Sequence, residues 1–262
     1  MASWYADTRS RRDAFRPSPV FLGIVAVFIT GGVLAWFDIG NATVNIIVFV
    51  VAGWMVSLCL HEYSHALYAY LRGDRSAADR GYLTLNPLKY THPVLSIVLP
   101  VVFLLIGGIG LPGGAVWLDR HSIRGGKVVQ SLVSLVGPLA NVLCAIALGI
   151  PFLLKMATFA HLNFWSGVAF LGFLQVFAAI LNLLPIPGVD GGNALRPWLN
   201  YQWAKVFDVL APWGMLILFL ALFQIPLVQV LLHDVVYGIC AWLGIPEFAI
   251  VNGLFMFQFW RH

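Results

Sequence analysis

The sequence predicts an all-α polytopic membrane protein with about five to six transmembrane helices plus a re-entrant Gly/Pro-rich segment. The first observation is composition. Hydrophobic residues make up 60% of the 262 residues, charged residues 10%, and mean hydropathy is +0.87, against roughly 45–50% apolar and about 25% charged in a soluble domain. The second is the presence of apolar runs near the length of about 20 residues that a span needs. The third is the alternation of Lys- and Arg-bearing loops with loops almost free of them. A water-soluble globule could not cover itself with so few charges, and disordered or nucleic-acid-binding chains carry far more. The expected surroundings are a lipid bilayer, with no nucleic-acid partner.

Five runs read as spans: Pro19 to Phe37, Val44 to Tyr70, Val128 to Leu154, Phe164 to Leu184 and Val209 to Leu232. The first is expected to be an anchor and not a signal peptide, being as long as a full span and lacking a small-residue cleavage site followed by a soluble domain. The net charge of +4 matters through its distribution. Arg9, Arg11, Arg12 and Arg16 precede the first span, none falls between the first two, and Arg72, Arg75, Arg80 and Lys89 follow the second. The N-terminus is therefore expected in the cytoplasm. Arg120, Arg124 and Lys127 precede the Val128 span, Lys155 alone follows it, and Arg196 and Lys205 follow the span ending near Leu184. This alternation closes only if a sixth run, Pro93 to Leu111, enters and returns on one side. Pro100 and the Gly107, Gly108, Gly110, Pro112, Gly113, Gly114 cluster fit a re-entrant segment, which must border protein or a wet cavity. The chain divides into a cytoplasmic segment (1–18), a membrane-embedded core (19–232) and an apolar tail (233–262) that is interfacial, a hairpin or a last span. Cys59, Cys144 and Cys240 lie far apart in apolar stretches without CxxC spacing, as buried apolar residues do.

Of the eleven acids, Glu62 and Asp190 stand beside the ends of spans, where an ionisable residue is a functional candidate by default. Glu62 belongs to His61-Glu62-Tyr63-Ser64-His65. Spacing of i,i+4 sets both imidazoles on one helix face, within reach of a single Zn²⁺ at about 2.0–2.1 Å, and leaves the adjacent Glu62 to hold a water. Ordinary hydrogen-bonded helix residues are the plainer alternative. A charge at span centre costs about 2.5 to 3.5 kcal/mol, so three ionisable residues within five positions call for a compensating partner, and a metal supplies one. A catalytic zinc takes three protein ligands and keeps one position open. Asp190 is the best third candidate, because Pro185, Pro187, Gly188, Gly191 and Gly192 around it unwind the chain after a span ending on the same side as His65. His92 and His121 remain alternatives as ligand or neighbour, whereas His161 and His233 fall on the opposite side. Asn141, an amide inside a span, reads as a helix-to-helix hydrogen bond or a substrate contact.

His61-Glu62-x-x-His65, Gly137-Pro138-x-x-Asn141 and Asn182-x-x-Pro185-x-Pro187-x-x-Asp190-Gly191 resemble, in order, the motifs of the site-2 proteases, the intramembrane zinc metalloproteases. Leu83-Thr84-Leu85-Asn86-Pro87-Leu88 followed by Pro93 resembles the short bacterial branch of that family, so the likeness covers roughly residues 50 to 195. The resemblance implies His61, His65 and Asp190 as zinc ligands, Glu62 as general base, and Asn141 and Asn182 near the substrate path. It also implies a transmembrane protein as substrate, a bacterial inner membrane, and an active site near the cytoplasmic face. The chain departs from the branch at His92, where Asp is usual, and at Gly113-Gly114-Ala115-Val116-Trp117-Leu118, where a G-W-A-K-P-V-like strand is usual. These departures bear on gating and substrate preference. There is no room for the PDZ or CBS domains of larger relatives.

The expected chemistry is hydrolysis of a peptide bond within or beside the membrane, with Glu62 taking a proton from a zinc-activated water. An unwound substrate would pair as an added strand with Gly107 to Leu118. The rival expectation is a zinc transporter holding an ion in transit on His61, His65 and Asp190, which has no use for a base next to the first ligand.

Overall fold

The computed structural model describes residues 14–90, 118–119 and 122–258. Among these residues the ordered elements are all helical. Helix α1 (Pro19–Trp36) starts at Ser18, whose Oγ accepts the Phe21 N–H at 3.1 Å, with Pro19 in the first helical position, where its missing N–H costs nothing. Asn41 caps α2 (Ala42–Leu71) through the Val44 N–H at 3.0 Å. At 30 residues α2 is about 45 Å long, longer than the roughly 30 Å hydrocarbon core. Its last three turns carry His61, Glu62 and His65.

Helix α3 (Gly126–Leu153) and α4 (Leu162–Leu183) complete the central bundle, and α5 (Asp190–Leu195) is a short helix behind the Pro/Gly loop that ends α4. α4 is the axis, with Phe170, Leu174 and Gln175 fully enclosed. Outside lie α6 (Tyr201–Leu210) and α7 (Gly214–Gln224), joined through one 3₁₀ turn as a single long span. α8 (Pro226–Trp242) and α9 (Glu247–Phe257) form a pair bent by 116°. Among the described residues five helical stretches are long and apolar enough to cross a membrane, or six if the bent pair counts as one span. The polytopic all-α expectation is borne out.

The last of the expected spans is displaced. Val209 to Leu232 does not form one helix; the span runs from Tyr201 to Gln224 and breaks at Ile225, which is extended (φ −109°, ψ 101°) ahead of Pro226. Proline pushes its predecessor out of the α region, and Tyr201, Gln202, Lys205 and Asp208 conceal the helix start from a hydropathy walk. The C-terminal stretch is tied into the bundle: Ala249, Ile250, Gly253 and Phe257 are buried, and the Asn252 amide donates to Ser166 Oγ at 2.8 Å. Helices approach closely where side chains vanish, as membrane helices do. A Cβ at Gly253 would collide with the Ser166 carbonyl and lie 2.7 Å from Phe170 Cβ.

The two ends of the bundle differ in charge. At one, the Arg124 N–H donates to the Arg72 carbonyl at 2.8 Å, Lys127 lies 5.9 Å from the Trp198 ring centre, and Arg196 forks onto Asp208 at 2.5 and 2.6 Å. Buried Asp74 draws the loops together there, accepting from the Ser76 N–H and O–H and from the Asp119 N–H. At the other end His161 stacks on Trp36, Asn163 donates to Asp38, and Lys155 follows α3. Arg72 and Arg124 flank the run expected to be re-entrant, so the chain leaves and returns at one end. The Pro93 to Leu111 run itself, Gly107 to Trp117, His92 and His121 lie outside the described residues.

Candidate metal centre

One turn of α2 separates His61 from His65, and both side chains point into the junction of α2, α3 and α5. His61 Nε2 lies 3.1 Å from His65 Nε2 and 3.1 Å from Asp190 Oδ2, and His65 Nε2 lies 3.4 Å from that oxygen. The far nitrogens are both engaged. His61 Nδ1–H donates to Asn141 Oδ1 at 2.5 Å, and His65 Nδ1–H donates to the Val133 carbonyl at 2.6 Å. With the Nδ1 positions protonated, the two Nε2 lone pairs and a carboxylate oxygen converge on one point as three acceptors with no donor among them. Such a cluster is held together by a cation.

The size and surroundings of the cluster fit a zinc ion. Ligands of a tetrahedral ion at about 2.0–2.1 Å stand roughly 3.3 Å from one another, which matches the 3.1–3.4 Å triangle. Gly137 of α3 forms the wall beside it. A Cβ there would collide with His65 Nε2 and sit 2.5 Å from His65 Cε1 and 2.7 Å from His61 Nε2, in the space an ion needs. Two imidazoles and one carboxylate are a zinc ligand set with room for a further ligand. Among the described residues no other cluster of three His, Cys, Asp or Glu side chains could hold a metal.

Asp190 reaches this point because α4 ends at Leu183 and the Leu184–Val189 loop turns back. Extended Val189 precedes Asp190 as the N-cap of α5. Cβ atoms on Gly191 and Gly192 would strike the carbonyls of Leu183, Leu184 and Ile186, so only glycine lets α5 fold onto the loop. Ser131 on α3 donates to the Ala194 carbonyl at 2.6 Å and accepts from Trp198 Nε1 at 2.9 Å, clamping α5 to α3. Burial alone would push the Asp190 carboxyl up. A divalent cation at the point where the three acceptors converge would outweigh this and favour the ionised carboxylate.

Glu62 is 3% exposed, directly after His61. Asn182 sits half-buried in the last turn of α4 and makes no side-chain hydrogen bond among the described residues. The resemblance sets Asn141 beside the substrate path, but both ends of its amide are engaged, Oδ1 by His61 and Nδ2 by Gln175 Oε1 at 2.8 Å. Gln175 Nε2 in turn donates to Ser57 Oγ at 2.8 Å, and Ser57 donates to the Trp54 carbonyl at 2.8 Å. Neither Gln175 nor Ser57 stood out in the sequence, nor did Gly137 as a wall of the site. The trace was the Gln175 amide in the middle of the apolar run Phe164 to Leu184. His161, at the far end of α4, donates to the Trp36 carbonyl, and His233 is exposed and stacked on Tyr237; neither belongs to the cluster.

A His-His-Asp centre with both histidines buried, built between apolar spans, defines a membrane-embedded metalloprotein. Three relatives, each named "Putative zinc metalloprotease", are similar to it in sequence. Rip2 of Mycolicibacterium smegmatis is 45% identical over 259 residues, covering 96% of this chain and 97% of the relative. Rip2 of Mycobacterium tuberculosis strain H37Rv is 42% identical over 261 residues, covering 95% and 96%. YwhC of Bacillus subtilis is 28% identical over 188 residues, covering 68% and 81%. The chain belongs to this family of zinc metalloproteases, the site-2 protease family in its short form. No protein-family model and no solved structure matches it. The zinc-transporter expectation finds no support in these relatives.

Proposed function

We propose that this zinc metalloprotease cleaves transmembrane segments of other membrane proteins inside the bilayer, with Glu62 as general base and His61, His65 and Asp190 as the zinc ligands. The observation that carries this reading is the convergence of three acceptors beside buried Glu62, within a helix that is itself a membrane span. When bound, zinc supplies Lewis acidity, polarising the scissile carbonyl and lowering the pKa of a water. Glu62 takes a proton from that water as its oxygen bonds to the carbonyl carbon, and passes the proton to the nitrogen as the C–N bond breaks. Asn141 and the Val133 carbonyl hold the two imidazoles in orientation. The Asn182 amide, without a side-chain hydrogen bond among the described residues, binds the backbone of an unwound substrate, which has lost its helical hydrogen bonds and needs replacements.

The gathering of Arg72, Arg124, Lys127 and Arg196 at the end of the bundle where α2 and α4 finish supports a site near the cytoplasmic face of a bacterial inner membrane, with a cytoplasmic N-terminus. The test is to reconstitute the full chain in vesicles with a single-span membrane protein and map the new termini by mass spectrometry. Cleavage inside the apolar span, abolished by a zinc chelator and restored by zinc, is the expected result. Cuts confined to soluble loops would overturn intramembrane action.

A further inference from the structure

The two imidazoles of the centre are oriented by different means. His65 Nδ1–H donates straight to a backbone carbonyl, Val133, and a carbonyl can only accept. The His65 tautomer is thereby settled, with Nε2 left as the lone pair. His61 faces an amide, and an amide is reversible: turned one way it accepts from Nδ1–H, turned the other it donates to Nδ1 and leaves the proton on Nε2, where it would block a metal. Whatever orients Asn141 therefore decides whether His61 is a ligand.

The orientation is set three side chains away. The Trp54 carbonyl can only accept, so Ser57 must spend its single O–H there. Ser57 Oγ is then an acceptor toward Gln175, which must present Nε2 to it. Gln175 consequently presents Oε1 to Asn141, which must answer with Nδ2, and Asn141 is left with Oδ1 toward His61 Nδ1–H. Ser57, His61, Asn141 and Gln175 are all buried, with Gln175 fully enclosed, so water does not offer a competing partner. Reversing any one amide would set two donors or two acceptors against each other inside a low-dielectric bundle, a heavy penalty.

We infer that Ser57 and Gln175 are positioning residues of the metal centre: through Asn141 they transmit the polarity of the Trp54 carbonyl to His61 and hold it in the tautomer whose Nε2 binds zinc. This rests on the reading of His61, His65 and Asp190 as zinc ligands. Outer hydrogen-bond partners of metal-bound histidines typically account for 10–100-fold in affinity. Here the effect has a signature that packing lacks, because it depends on residue 141 being an amide. A carboxylate at 141 accepts from Nδ1–H whichever way it is turned.

The test is a double-mutant cycle on the detergent-solubilised full chain, reading zinc affinity by competition with a chromophoric chelator. Gln175→Met, close in volume to the glutamine, should weaken zinc binding about 10–100-fold in the Asn141 background and change it less than about threefold when combined with Asn141→Asp. Ser57→Ala, which deletes one oxygen, is the second variant and should weaken zinc binding with the same dependence on residue 141. Equal losses in both backgrounds would assign Gln175 and Ser57 to packing and overturn the inference, as would unchanged affinity in either single variant. If the parent chain bound no zinc, the ligand assignment itself would fall and the inference with it; zinc in the parent with no coupling sinks the inference alone.

Discussion

Gly137 separates a structural account of the centre from a chemical one more sharply than the ligands do. Glycine in a helix interior ordinarily costs about 0.5–1 kcal/mol relative to alanine, so Gly137→Ala would be expected to favour α3. Its Cβ, however, would lie against His65 Nε2 and 2.7 Å from His61 Nε2. Gly137→Ala should keep the helical circular dichroism of the parent and lose at least about 100-fold in zinc affinity, beyond the upper end of what outer-shell partners account for; equilibrium dialysis with zinc reads this directly, and parental affinity would refute the placement of the ion. At this scale the His-His-Asp cluster was legible because its geometry is local. An i,i+4 histidine pair shares a helix face wherever the helix lies, and a Pro/Gly loop after a span announces that the backbone turns. Ser57, Gln175 and the wall formed by Gly137 were not legible, because each acts across a helix-to-helix register that nothing in its own neighbourhood encodes. Asn141 falls between: its polarity marked it as partnered, but not with which helix.

Helices pack here by the absence of side chains, and the C-terminal element shows what that implies. α9 was open in the sequence among interfacial helix, hairpin and last span because its apolar residues carry no clear periodicity and Pro246 and Glu247 interrupt the run. In three dimensions Gly253 lets α9 settle against the Ser166 carbonyl of α4. Gly253→Val should cost about 1–3 kcal/mol by overpacking, seen as a lower thermal midpoint in detergent. An unchanged midpoint would mean that α9 does not pack on α4 as described. The span Tyr201–Gln224 was misplaced for the opposite reason. Its first turns are polar enough to read as loop, while Pro226 ends it inside a continuous apolar run, so hydropathy registered neither end.

The bundle as a whole is organised by charge along its axis. Arg72, Arg124, Lys127 and Arg196 share the end that carries the metal centre, and Lys155 lies at the other. In whole cells expressing the chain, a membrane-impermeant maleimide should label Thr158→Cys and spare Asp79→Cys, with the parent chain, whose Cys59 and Cys240 are buried and Cys144 half-buried, serving as background. The reverse pattern would invert the topology. The number of spans was readable in the sequence because hydropathy is a summed property, insensitive to packing. The central claim is that an intramembrane zinc centre works with a protein base. It is tested most directly by measuring, on purified parent and Glu62→Gln, zinc per chain and cleavage of a single-span membrane protein. The account predicts one zinc in each and cleavage by the parent alone, reduced at least about 100-fold in the variant. Absence of zinc from both, or equal cleavage by both, would contradict it.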